Sequence, residues 1–170
     1  MIEIKDVKMK GNTDVKVSYI ESDNDGKVTE YVVSSNEAPR PEFIQAMCSL
    51  APDLMGIIGI SVTDGDKADE RTNVLGCSFK HTADGNFNAV IKGTIYVPWL
   101  DADVAINTPN VGTRPKDAPL GAYLSDATER KLRKVLKEAE LYVTGKRAQE
   151  VLFDDEAGSQ KAIENMKLIG

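Results

Sequence analysis

The sequence predicts an α+β fold: an antiparallel sheet of five to seven strands, one short mid-chain helix and one long amphipathic helix near the C-terminus. Three observations predict it. The first third reads as an antiparallel meander, in which Val15, Val17 and Tyr19 alternate with polar residues at the two-residue period of a half-buried strand. Two turn-forming clusters, Asp23-Asn24-Asp25-Gly26 and Ala83-Asp84-Gly85-Asn86, divide that pattern at hairpin spacing. Residues 125–143 then switch to the helical period.

Ile2, Ile4 and Val7 mark the first strand, and Gly11-Asn12 turns the chain back. Val15, Val17 and Tyr19 mark the second strand; Val28, Tyr31 and Val33 mark the third. Asp23 and Asp25 invite a calcium reading, but an EF-hand loop runs on to a closing acid, and here the run passes into a strand. A hairpin turn accounts for both. Pro41 sits in a helix first turn, where its missing N–H is harmless, and Phe43, Ile44, Met47, Cys48 and Leu50 follow at helical spacing up to Pro52. Residues 54–62 are apolar and interrupted by Gly56 and Gly59, which predicts a central strand. Strands at 74–81 and 87–97 flank the second turn cluster, and Val104-Ala105-Ile106 adds a short edge strand. Residues 107–123, rich in Pro, Gly, Asn and Thr, form an irregular connection.

Ser125 is the expected N-cap of the last helix, with Asp126 and Glu129 beside its positive end and Thr144-Gly145 as its stop. Thr128, Leu132, Val135, Leu136, Ala139, Tyr142 and Val143 trace its apolar face. Residues 1–147 therefore read as a single domain, and 148–170, polar and acidic, as a flexible tail.

The chain has 170 residues, 41% of them hydrophobic and 28% charged, enough to bury a real core. No apolar run of about 18 residues occurs, so no membrane span is expected. Met1-Ile2-Glu3-Ile4-Lys5 reads as a strand and lacks the basic and apolar regions of a signal peptide, which predicts a cytoplasmic protein. Cys48, Cys77 and the single histidine, His81, are too few for a zinc site, and both cysteines are expected to be small buried hydrophobes. The net charge of −6 argues against sequence-independent binding to duplex DNA, which relies on neutralising many phosphates. Residues 125–147 nevertheless carry 7 basic and 4 acidic side chains, a cationic segment in an acidic protein.

Nucleophile-elbow, Walker and Rossmann glycine patterns are absent. His81 beside a hairpin turn has no acid partner implied by spacing, and a surface or cross-strand role is its expected one. Asp101 and Asp103 can place two carboxylates on one face of an extended segment, but no third ligand is evident. A non-enzymatic protein is expected, with no catalytic residue, metal or cofactor assigned. Arg130, Lys131, Arg133, Lys134 and Lys137 on the last helix are the candidate contacts to nucleic acid. Against that, Glu129–Arg133 and Lys134–Glu138 stand at helical pairing distance, and no aromatics interleave the cations as single-strand surfaces require.

Beyond the helix stop lies Gln149-Glu150-Val151-Leu152-Phe153. Gln-x-x-Leu-Phe resembles the peptide by which bacterial replication and repair proteins attach to the DNA sliding clamp. The resemblance implies that Leu152 and Phe153 fill an apolar pocket while the Gln149 amide bonds at its rim. Glu150 departs from that motif, which prefers an apolar residue there, and a tail follows instead of the chain end. The competing reading folds Val151, Leu152 and Phe153 back onto the domain's own core.

The chain as a whole resembles uncharacterised bacteriophage and prophage proteins. The residues concerned are Val15-Lys16-Val17, Ala38-Pro39-Arg40-Pro41-Glu42-Phe43, Asn107-Thr108-Pro109, and Glu138 to Gln149 running into Leu152-Phe153. That resemblance implies a phage origin, a bacterial host cytoplasm and a link to DNA replication or recombination. The bacterial sliding clamp is the expected partner; single-stranded nucleic acid, with the acidic tail as a recruiting arm, and regulation or inhibition of a host protein are the alternatives.

Overall fold

The computed structural model describes residues 1–23, 25–60, 70–115 and 122–146. Strands β1 (Ile2–Lys10), β2 (Asp14–Ser22) and β3 (Val28–Ser35) form one meander, and β4 (Thr72–His81), β5 (Phe87–Val97) and β6 (Ala102–Asn107) form another. The two meet along β1 and β4, giving the order β3-β2-β1-β4-β5-β6 with every neighbour antiparallel. A two-residue strand, β7 (Val111–Gly112), pairs with β5 beyond the end of β6. Helices α1 (Pro41–Cys48), α2 (Ala51–Ile57) and α3 (Asp126–Val143) cover one sheet face, their main contacts falling on β1, β4 and β5. The architecture is α+β, as the alternation and the helical segment predict. Among the described residues no helix is long and apolar enough to cross a membrane.

The hairpins follow from local chemistry. Asp23 Oδ1 accepts the backbone N–H of Asp25 (3.0 Å) and of Lys27 (2.8 Å), committing the carboxylate to its own turn. At the β4–β5 turn, Asp84 accepts from the Thr82 hydroxyl and from Asn86 Nδ2, which holds its carboxyl below the usual range. Gly85 there has φ +78°, a conformation glycine adopts without cost.

Inward-facing residues of the strands, among them Val7, Val17, Cys77, Phe87 and Ile91, join Phe43, Leu54, Leu132, Val135 and Tyr142 of the helices in one core. Cys77 is fully buried, and desolvation, with Asp6 adding, pushes its thiol up to about 12. Cys48 is exposed, contrary to expectation. The eight-residue α1 turns Phe43, Ala46 and Met47 inward, and Cys48, one position further round, falls on the outer side.

Residues 54–57, expected in a strand, belong instead to α2; positions 61 and 62 of that expected strand lie outside the described residues. Pro52 occupies the first turn of α2, so it opens a second helix where it was expected to close the first. The apolar run then becomes a helical face: Ala51, Leu54 and Met55 are buried while Gly56 is exposed. Leu54 packs over Gly93 of β5, where an added Cβ would lie 2.8 Å from Leu54 Cδ2 and against the Asn73 carbonyl.

The irregular segment after β6 is fastened to β5 by two buried threonines. Thr108 N–H donates to Ile91 O while its hydroxyl accepts Ile91 N–H, both at 2.9 Å. Thr113 repeats the device on Phe87, donating to its carbonyl at 2.9 Å and accepting its N–H at 3.3 Å. Each hydroxyl stands in for the carbonyl a regular strand would offer, so two buried amides keep partners where the ladder breaks.

Ser125 caps α3 as expected, its Oγ accepting Thr128 N–H at 3.1 Å, and Gly145 at φ +90° ends the helix. Tyr142 is buried against Phe43 and donates its hydroxyl to Glu37 O at 2.8 Å. Among the described residues, the expected Lys134–Glu138 pair does not form. Glu138 is only 7% exposed and turns toward α1, with Arg40 Nη1 3.8 Å from its Oε2. Nothing among the described residues hydrogen-bonds that oxygen.

Candidate functional site

Among the described residues, no helix covers the second sheet face. Strand alternation places Asp6, Lys8 and Lys10 of β1, Lys16 of β2, Gly76 and Ser78 of β4, and Lys92 of β5 on it. The register sets Asp6 opposite Ser78 and Gly76 opposite both Lys8 and Lys92. Ser78 Oγ donates to Asp6 Oδ1 at 2.6 Å, and Lys92 Nζ donates to Asp6 Oδ1 at 3.0 Å and to Ser78 Oγ. Three central strands are thereby tied by one polar bridge. Lys8 Nζ lies 3.8 Å from the other Asp6 oxygen, so two ammonium groups share one carboxylate and leave the locality cationic.

Beside this bridge is a cleft of about 480 Å³ lined by Lys8, Lys10, Lys16, Lys92, Asp14 and Gly76, among others. Gly76 forms part of its floor; a Cβ there would stand 2.5 Å from Val7 O, so only glycine allows the strands this spacing. Lysine side chains present apolar stems and charged heads, and four around one concavity suit a ligand with an anionic edge and a flat apolar body.

The helix cations expected to meet nucleic acid are partly committed elsewhere. Lys131 Nζ binds Asp53 Oδ2 at 2.5 Å, beside a 2.6 Å bond from Thr128 Oγ1 to Asp53 Oδ1. Arg133 Nε donates to Glu129 at 2.8 Å, as the spacing predicts, and its guanidinium lies 5.2 Å from the Phe87 ring centroid. Arg130, Lys134 and Lys137 are exposed. The structure brings together the strand lysines, which sequence reasoning missed, and not the five helix cations as a set. Only the alternation of Lys8 with Lys10 hints at a shared face; their meeting with Lys16 and Lys92 depends on sheet register.

His81 takes the cross-strand role: its Nε2 is 2.8 Å from Ile4 O, and its ring packs near Phe79 and Phe87. Asp101 and Asp103 do not share an extended segment. Asp101 sits in the β5–β6 turn at φ +48°, accepting the Tyr96 hydroxyl at 2.7 Å, while Asp103 lies within β6. That hydrogen bond, then desolvation and Asp103, raises the Tyr96 phenol above its ordinary range. Among the described residues no three of His, Cys, Asp and Glu group as metal ligands. Gln149, Leu152 and Phe153 lie outside the described residues. No family model matches the chain, and no curated protein or solved structure matches it.

Proposed function

We propose that this chain is a non-enzymatic accessory protein of phage DNA replication or recombination that engages the bacterial sliding clamp through Gln149, Leu152 and Phe153. The observation that supports it is the Gln-x-x-Leu-Phe spacing four residues past Gly145, where α3 has already been capped. Three helices already pack on the sheet before that point, and their buried residues form one continuous core. Two bulky apolar side chains on a peptide beyond such a domain suit a small, pocket-filling interface. Leu152→Ala with Phe153→Ala should abolish co-elution with the clamp while shifting the thermal midpoint by less than about 2 °C. A fall of several times that size, with or without clamp binding, points to docking on the domain's own core and ends the proposal.

The lysine cleft favours a second reading, binding of single-stranded nucleic acid across the open sheet face. Retention on a single-stranded oligonucleotide should weaken with salt at a log–log slope of about −2, the value for roughly three phosphates neutralised. Lys10→Glu with Lys16→Glu should abolish it, because both residues line the cleft and neither joins the bridge of Asp6, Ser78 and Lys92. Changing Arg130, Lys134 and Lys137 to Glu should leave it largely intact; the reverse result moves the surface to α3.

A further inference from the structure

Strand β3 ends the sheet, and among the described residues nothing pairs with its outer edge. Its hydrogen-bonding parity is fixed at the hairpin: Asp23 N–H donates to Lys27 O at 3.1 Å, so bonded pairs alternate from there through Glu21–Thr29, Tyr19–Tyr31 and Val17–Val33. The backbone N–H and C=O groups of Val28, Glu30, Val32 and Ser34 therefore point outward. Natural edge strands are usually blunted by lysine, proline or a bulge. β3 has none of these: its sequence is Val-Thr-Glu-Tyr-Val-Val-Ser-Ser, and its register with β2 runs unbroken. Val28 is 60% exposed, Val32 57% and Tyr31 41%, an apolar run along an unpaired ladder.

We propose that β3 pairs with β3 of a second copy of this chain, antiparallel about a two-fold axis at Val32. The strand is complementary to itself in that register. Val32 faces Val32 of the other copy on the open side, and Tyr31, already stacked on Tyr19 at 5.2 Å, faces Val33 on the helical side. Glu30 faces Ser34, so the only charged residue of the strand never opposes itself. The outward-pointing groups of residues 30, 32 and 34 meet the same set in reverse order, which satisfies both edges. The other edge fits less well: β6 has six residues and sets Asp103 among its outward groups. Edge pairing of this length covers on the order of 1,000 Å², the low end of specific interfaces, and gives a reversible dimer. An axis perpendicular to the sheet keeps both open faces on one side, so two lysine clefts, each bordered by Ser34 and Lys16, share one continuous surface.

Sedimentation equilibrium of the full chain should show a concentration-dependent species of twice the 18.5 kDa monomer mass. Val32→Pro removes an N–H that β2 does not use, and loses two bonds at the axis; the dissociation constant of the dimer should rise about thirty-fold. Val32→Lys, which sets two ammonium groups face to face, should do the same if proline disturbs the fold. Ala105→Pro on the opposite edge should change nothing. Hydrogen exchange at the Glu30, Val32 and Ser34 amides should slow as concentration rises. A monomer at every soluble concentration overturns the proposal, as does a dimer indifferent to both Val32 changes. Protection of those amides already in dilute monomer overturns it too, since residues 147–170 or another part of the same chain would then cover the edge.

Discussion

Tyr142→Ala is expected to lower the free energy of unfolding by about 4 kcal/mol, seen as a fall of roughly 10 °C in the thermal midpoint. The side chain is 1% exposed and is among the largest fully buried groups in the protein. Its ring meets Phe43 of α1 at 6.1 Å with the planes inclined by 60°, a tilted contact that adds to burial. Its hydroxyl donates to the Glu37 carbonyl, in the link between β3 and α1. Alanine removes all three effects and opens a cavity where α1, α3 and that link converge. Tyr142→Phe keeps the ring and should cost only about 1 kcal/mol, the net value of the lost hydrogen bonding. Equal losses in the two variants would mean that the hydroxyl, and not packing, dominates the site. Chemical denaturation followed by circular dichroism separates these outcomes.

The second large effect is asymmetric. Arg40→Met should destabilise the protein by about 3 kcal/mol, whereas Glu138→Leu should be neutral or slightly stabilising. Glu138 is the buried partner, and Arg40 is one-third exposed and also 3.4 Å from Glu42. Removing the cation leaves a carboxylate facing the α1–α3 packing with no compensating charge. Removing the carboxylate leaves an arginine that water and Glu42 can still satisfy. The double variant should recover most of the loss, so a double-mutant cycle should return a coupling of about 2 kcal/mol. Equal single-site costs would show that Glu138 is better solvated than its position implies.

Strands were legible wherever one face is dry and the other wet, because that contrast writes itself into the sequence at every second residue. β1, β2, β4 and β5 all carry it, and Phe87–Val97 matches the expected span at both ends. α2 was not legible: a short apolar run with two glycines fits a buried strand or a buried helix equally, and only the packing of Leu54 over Gly93 decides. Glu138 was misjudged for a similar reason: its four-residue spacing from Lys134 allows a surface pair, but it falls on the buried face of α3, beside Arg40. The lysine cleft depends on four residues from three strands separated by up to 84 positions, and sequence spacing says nothing about such register. Thr108 and Thr113 looked like ordinary loop residues because their hydroxyls serve amides 17 and 26 positions away.

The seam between β1 and β4 has one more consequence. Among the described residues the strand register there runs over three pairs, Asp6–Ser78, Val7–Cys77 and Lys8–Gly76, and each partner lies some seventy positions from the other. Contacts within either meander are local and close short loops, whereas the seam must close a long one before it gains anything. The loop-closure entropy of the sheet therefore falls on the seam, and the core that both meanders share with the helices is complete only once that seam has closed.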